Sequence, residues 1–210
     1  SFTRAGQFKL DDDNYVVNSN GDLLLGFPVN SDSTSSSVAL STTEPVQIPD
    51  SSGSPAQTSE VDIRMNLPAG DQGLDPAAFD PQDPLTYNAA TSVTVYDSLG
   101  DSHVMTYYFV KDVAADNEWY VATAVDDQLT DLVNSTGTDS DPTTAVNSLG
   151  TNTGNGVTAA KLVFSQGGDF IGIESPDGIQ TTDYKLTTEA LGSALSNGAD
   201  ATQQIGIDFN

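Results

Sequence analysis

Apolar residues in this chain fall in short runs that alternate with polar ones, the two-residue period of half-buried β-strands. The cleanest run is Val61 to Leu67: Val61, Ile63, Met65 and Leu67 share one face, and Asp62, Arg64 and Asn66 the other. Val93 and Val95 begin a strand that leads into Asp97-Ser98-Leu99-Gly100-Asp101, a turn sequence whose Gly100 is free to adopt positive φ. The next strand carries Val104, Thr106, Tyr108 and Val110 on one face and His103, Met105, Tyr107 and Phe109 on the other. Apolar bulk on both faces predicts a place inside a sheet. Glu118 to Val125 is the expected neighbour, with Trp119, Val121, Thr123 and Val125 on one face.

The same texture extends to both ends. Phe2 to Leu10 alternates around Gly6, Asp11 to Asn14 is a turn, Tyr15 to Val17 a strand, and Leu23 to Phe27 a third strand after the hairpin signal Asn20-Gly21. Val38 to Leu40 and Val46 to Pro49 are short extended pieces. Strand signals resume at Val157 to Phe164, Phe170 to Ile173, Thr182 to Thr188 and Gln203 to Phe209. Leu129 to Val133 is expected to hold one helical turn, and Glu189 to Leu195 a short helix stopped by Asn197-Gly198. No segment sustains a helical period. The prediction is an all-β protein: a β-barrel or sandwich of short antiparallel strands, with a smaller β domain at the N-terminus.

Between these runs lie segments without periodicity. Ser31 to Ser37 is a low-complexity loop, Asp71 to Pro84 is rich in Asp and Pro, and Asp126 to Gly156 is rich in Thr, Ser, Asn and Gly and is expected to be mobile. The Ser/Gly/Pro stretch from Asp50 to Gln57 reads as a linker, dividing the chain into domains 1–57 and 58–210. The chain starts and stops in strand-like text and reads as the middle of a longer protein.

Composition narrows the possible partners. Thirty acidic and six basic residues give a net charge of −24. Nucleic acid and anionic membrane surfaces both require a cationic face, so neither is an expected partner. The absence of cysteine excludes disulfide, thiolate–metal and cysteine-nucleophile chemistry. No apolar run approaches the ~18 residues of a spanning helix.

The candidate chemistry is thin. His103 is the single histidine, with no second His or Cys to complete a dyad or a transition-metal site. It reads as a strand residue facing sheet or solvent. Gly154-Asn155-Gly156-Val157-Thr158-Ala159 has the spacing of a loose dinucleotide loop, but it leads into a strand where a helix is required. Acidic clusters at Asp11-Asp12-Asp13, at Asp75 with Asp80 and Asp83, at Asp126-Asp127, and at Asp139 with Asp141 could offer calcium oxygens, yet none has the spacing of a calcium loop. Asn134-Ser135-Thr136 is a glycosylation sequon. Tyr107, Tyr108, Phe109, Trp119 and Tyr120 would suit a sugar platform, or a core at strand spacing. The expectation is no catalytic residue, no cofactor and no metal ligand, and a protein that is not an enzyme.

Two segments carry a family resemblance. Phe2 to Leu10, through Tyr15-Val16-Val17 and Asn20-Gly21 to Leu25-Gly26-Phe27-Pro28, resembles a motif shared by flagellar hook, distal rod and related axial proteins. Val93 to Lys111, with Asn117-Glu118-Trp119-Tyr120-Val121, resembles a pattern specific to the bacterial flagellar hook proteins. Leu162-Val163-Phe164, Gly168 and the run from Gln203 to Phe209 match weakly but in order. The resemblance implies a self-assembling structural subunit of the hook, the universal joint between motor rod and filament, located outside the cell. It implies that 1–57 is the N-terminal half of a middle β domain, incomplete here, and that 58–210 is the outer surface domain. Implied partners are further full-length copies in a helical homopolymer and the rod, hook-cap and hook–filament junction proteins. The isolated fragment is expected to be monomeric, and loops 71–84 and 126–156 to flank contacts between outer domains. The alternative is a secreted β-sandwich adhesion or carbohydrate-binding module.

Overall fold

A computed structural model describes residues 7–28, 39–48, 55–138, 141–181 and 184–209. The expected strand at Phe2 to Ala5, the loop at Ser31 to Ser37, most of the linker and Asp139 lie outside the described residues. The chain divides into two units, Ser1–Ser54 and Pro55–Asn210.

Among its described residues the first unit has four short strands, β1 (Phe8–Leu10), β2 (Val16–Asn18), β3 (Leu25–Gly26) and β4 (Glu44–Pro45). β1 pairs antiparallel with β2, and β3 with β4. The Asn20-Gly21 signal marks a real turn: the Asn18 amide donates to the Asp22 carbonyl, the Gly21 amide donates to the Asn18 carbonyl, and Asn18 Oδ1 accepts from the amides of Asn20 and Asp22. Val17 is the buried apolar side chain of this unit among the described residues, while Phe8, Leu10, Leu23, Leu25, Phe27 and Ile48 are exposed.

Among its described residues the second unit holds twelve strands: β5 (Glu60–Asp62), β6 (Ala89–Tyr96), β7 (Ser102–Lys111), β8 (Glu118–Val125), β9 (Gln128–Thr130), β10 (Ser148–Leu149), β11 (Val157–Thr158), β12 (Ala160–Phe164), β13 (Phe170–Glu174), β14 (Gln180–Thr181), β15 (Lys185–Thr187) and β16 (Gly206–Asp208). The main sheet runs β14-β13-β12-β8-β7-β6, all antiparallel. The outer edge of β8 is shared, by β12 along 118–121 and by β9 along 123–125. β7 is flanked by β6 and β8, where its two apolar faces require it to be.

Each face of that sheet has its own core. Met105, Tyr107, Phe109, Trp119, Val121 and Leu162 pack against Ile63, Leu186, Leu191, Ile205 and Ile207. Much of this cover is a second, three-stranded sheet, β15-β16-β5. On the opposite face Tyr108, Val110, Tyr120, Ala122 and Ala124 pack against Phe79, Leu149 and Val157. Phe79, Tyr87 and Tyr108 meet edge to face, with ring centroids 5.1 to 6.3 Å apart.

The architecture is all-β, as the alternation predicts, and several finer expectations need correction. Of the two expected forms, barrel or sandwich, no sheet closes into a barrel among the described residues. β5 and β16 pair in parallel, so not every neighbour is antiparallel. The Val61 to Leu67 strand is regular only to Asp62; Ile63 is buried, but Met65 stands exposed. The two supposed excursions are largely structural. Phe79 in one is fully buried, and the other contributes β9, β10, Leu132 and Leu149 to the interior. Leu129 to Val133 is therefore strand and bridge and not helix, and the later helix reduces to a 3-10 turn at Leu191–Ser193. Gly150 lets the two excursions meet: a Cβ there would lie 2.9 Å from the Phe79 carbonyl, and its φ is 71°.

Candidate functional site

The densest polar arrangement in the second unit surrounds His103. Asp97 sits at the tip of the β6–β7 hairpin, where its Oδ1 accepts from the amides of Leu99 and Asp101, both at 2.9 Å. Gly100 takes φ 86° and its amide donates to the Asp97 carbonyl. Asp126 and Asp127 form the two-residue turn between β8 and β9, both with positive φ, which Asp tolerates better than most residues. The register of β6, β7 and β8 brings these two turns to the same end of the sheet, with His103 between them.

His103 Nδ1 lies 2.6 Å from Asp126 Oδ2, and Nε2 lies 3.1 Å from Asp97 Oδ2. Both partners are carboxylate acceptors, so satisfying both contacts requires a proton on each ring nitrogen, the imidazolium form. Asn197, on the loop after the 3-10 turn, donates from Nδ2 to Asp97 Oδ2 at 2.5 Å and to Asp101 Oδ2 at 2.8 Å. The Asp200 amide donates to Ser98 Oγ, and Gln203 Nε2 donates to the carbonyls of Thr58 and Tyr96. The result is a clasp that joins two hairpin turns to the loop leading into β16.

The ionisation states follow from these contacts. The Asn197 amide does most to hold the fully buried Asp97 carboxyl well below the usual carboxylate range; burial opposes it, and His103 and the amides of Asp101 and Leu99 add to the lowering. His103 is raised above 6.5 chiefly by Asp126, against desolvation, with Asp97 adding to the effect. For Asp126, desolvation acts upward but is outweighed by the Val104 amide and by His103, so the carboxyl is lowered. With both nitrogens committed to carboxylates, the imidazole has none left to take a proton from a bound molecule.

The remaining sequence candidates do not converge. Asp11 Oδ1 accepts from the amides of Asp13 and Tyr15, Asp75 from Ala77, Asp80 from Gln82, Asp83 from Leu85, and Asp141 from Thr143. Each carboxylate serves its own turn. The Asn134 side chain binds within its own loop, accepting from the amides of Thr136 and Thr138. Tyr107, Phe109 and Trp119 lie in one core and Tyr108 and Tyr120 in the other, so the aromatic run offers no exposed platform. In the stretch Gly154 to Ala159, Gly154 ends a turn and Val157–Thr158 is β11, with no helix after the glycines.

One acidic group does come together that the sequence did not single out. Glu60, Asp62 and Asp208 have carboxylate oxygens within 4.8 Å of one another. The β15–β16 register sets Lys185 opposite Asp208, and its ammonium bridges Asp208, at 3.1 Å, and Glu60. Glu60 first and Asp208 next hold this amine above its ordinary range. The cluster depends on strands more than a hundred residues apart in the chain, one pair of them parallel, which the local pattern could not signal.

A hollow of about 400 Å³ opens beside the first core, lined by Ile63, Met65, Leu67, Phe164, Phe170 and Phe209 among others, with Arg64 at its wall.

Residues 66–210 match the family described as the flagellar basal body protein FlaE D2 domain. Flagellar hook protein FlgE of Salmonella typhimurium is 35% identical over 122 residues, and that of Escherichia coli 34% identical over 122 residues. Each match takes in 58% of this chain and 30% of the relative, so the chain spans well under half the length of these hook proteins. Since the family match covers every strand from β6 to β16 and every residue of the His103 clasp except Thr58, the chain belongs to the flagellar basal body protein FlaE D2 domain family.

Proposed function

We propose that the protein is a structural, non-enzymatic subunit of the bacterial flagellar hook, outside the cell. In this reading residues 1–57 are part of a middle β domain and 58–210 are the outer surface domain. The observation that carries it is the 35% identity to a hook protein over 122 residues. The exposed face of the first unit supports the domain assignment. Phe8, Leu25 and Phe27 form strands and turns without burying their side chains, as half of a domain would in the absence of the other half.

The mechanism is mechanical. Copies joined by a heterologous interface with a small rotation build an open helical tube. The partners are other full-length copies, together with rod, hook-cap and hook–filament junction proteins. For such a tube to act as a universal joint, outer domains must slide past one another at low cost, so their contacts are small, polar and wet. The surface, at −24 overall, suits that requirement and keeps the fragment monomeric at micromolar concentration. The two-core sandwich makes each outer domain a rigid body, so bending is taken up between domains. Only the exposed parts of 71–84 and 126–156 flank those contacts, since the rest is interior.

Electron microscopy of cells lacking the gene is the direct test. Motor rods without hooks are expected, and hooks of normal length would sink the reading. Light scattering of the isolated chain at moderate salt should report a monomer.

A further inference from the structure

The hollow at Phe164, Phe170 and Phe209 is paired with an unusual cation. Among the described residues of the second unit, Lys161 pairs with Glu118, Lys185 with Glu60 and Asp208, and Lys111 donates to the carbonyls of Ala69 and Asp71. Arg64 is the exposed exception, without a carboxylate in a chain that carries thirty acidic residues. It stands where an apolar hollow opens, so the site suits an apolar side chain flanked by acid.

The chain displays such a group. Leu85 is 83% exposed, the highest value for a large apolar residue among the described residues. It is not on a loose tip. Its amide donates to Asp83 Oδ1, and the Thr86 hydroxyl donates to the carbonyls of Asp80 and Asp83 at 2.8 and 2.7 Å while accepting from the Asp80 amide. These bonds hold the backbone of the turn that carries Leu85, two residues after Asp83, which lowers the ordering cost of docking. Knob and hollow also face apart. Phe79 and Tyr87, on either side of Leu85 in sequence, pack on one face of the main sheet, and the hollow adjoins the core on the other.

We infer that the hollow receives the Leu85 turn of a second copy, with Arg64 against Asp83. A patch and a pocket on opposite faces make a heterologous contact that repeats without closing. The inference rests on the self-assembly proposed above and names one contact within it. The contact is weak between free copies and is best captured covalently.

The cysteine-free sequence gives a clean test. Leu85→Cys and Met65→Cys variants of the chain, each at an exposed position, are mixed and oxidised. The mixed dimer is expected to exceed both homodimers by several-fold. Arg64→Glu in the Met65→Cys partner should remove that excess, and Asp83→Asn in the Leu85→Cys partner, which keeps the Oδ1 acceptor of the turn, should recover part of it by removing the repulsion. A mixed dimer at its statistical share, an excess indifferent to charge reversal, or an excess of the Met65→Cys homodimer would each overturn the contact. Polymer formation by the full-length protein, scored separately by electron microscopy, reports on the proposed function. Polymers lacking the Leu85–Met65 cross-link would refute this contact alone, and absence of polymers would refute self-assembly.

Discussion

The two units are written in the same alternating pattern and end in opposite states. In the first, Phe8 is 45% and Leu25 55% exposed. In the second, Met105, Phe109, Val121, Ile173 and Ile207 are fully buried. Strand periodicity specifies which side chains share a face; a second layer must exist before that face can leave water. The main sheet has two such layers, one supplied by β5, β15 and β16 and one by the 74–87 segment with β10 and β11. Among the described residues of the first unit, only Val17 of its apolar side chains is buried.

The widest gap between the units should appear on truncating one phenylalanine in each. Phe109→Ala is expected to cost about 3–5 kcal/mol in urea unfolding, whereas Phe8→Ala should change the main transition by no more than about 0.5 kcal/mol. An equal cost would end the comparison. Where a second layer covers that face, Phe8→Ala should rise to about 1.5–3 kcal/mol. Next comes Gly150→Ala, expected to lose about 1–3 kcal/mol because it forces a side chain into positive φ against the Phe79 carbonyl. Its effect should be confined to the second unit, read by amide exchange.

A smaller effect belongs to the clasp. The folded pKa of His103 is raised, so its contribution is complete below about pH 6.5 and disappears as pH climbs through the raised value. Asp97 and Asp126 are lowered, so theirs is complete above about pH 4 and disappears as pH falls through the lowered values. The melting temperature of the wild type should therefore exceed that of His103→Ala most clearly between those limits, by a few degrees. A pH-independent difference would remove the imidazolium from the account. Smallest of all, Lys185→Met should leave stability unchanged within error, since exposed ion pairs contribute little.

Much of the second unit could be read from its sequence because the signal was local. The β6–β7 hairpin follows from turn residues between two alternating runs, and the central place of β7 from the bulk on both of its faces. What failed was non-local. Phe79 lies in an Asp/Pro-rich stretch with no period, so nothing nearby announced that it would cap the second core. Asp97 and Asp126 are turn residues by composition; only the three-strand register brings them to the two sides of His103. Met65 has the right parity for burial but follows the point where the chain leaves the sheet.

The parallel pairing of β5 with β16 has a consequence for load. Along the chain β5 is the first strand of the second unit and β16 the last. Because the two strands point the same way, tension applied through the unit's ends drags one along the other. The backbone hydrogen bonds of Gly206 to Asp208 against Glu60 to Asp62 are then stressed together in shear instead of being peeled one at a time. In single-molecule pulling this arrangement should give one abrupt rupture for the second unit, before any extension of the main sheet, whereas gradual lengthening at low force would show that the strands peel.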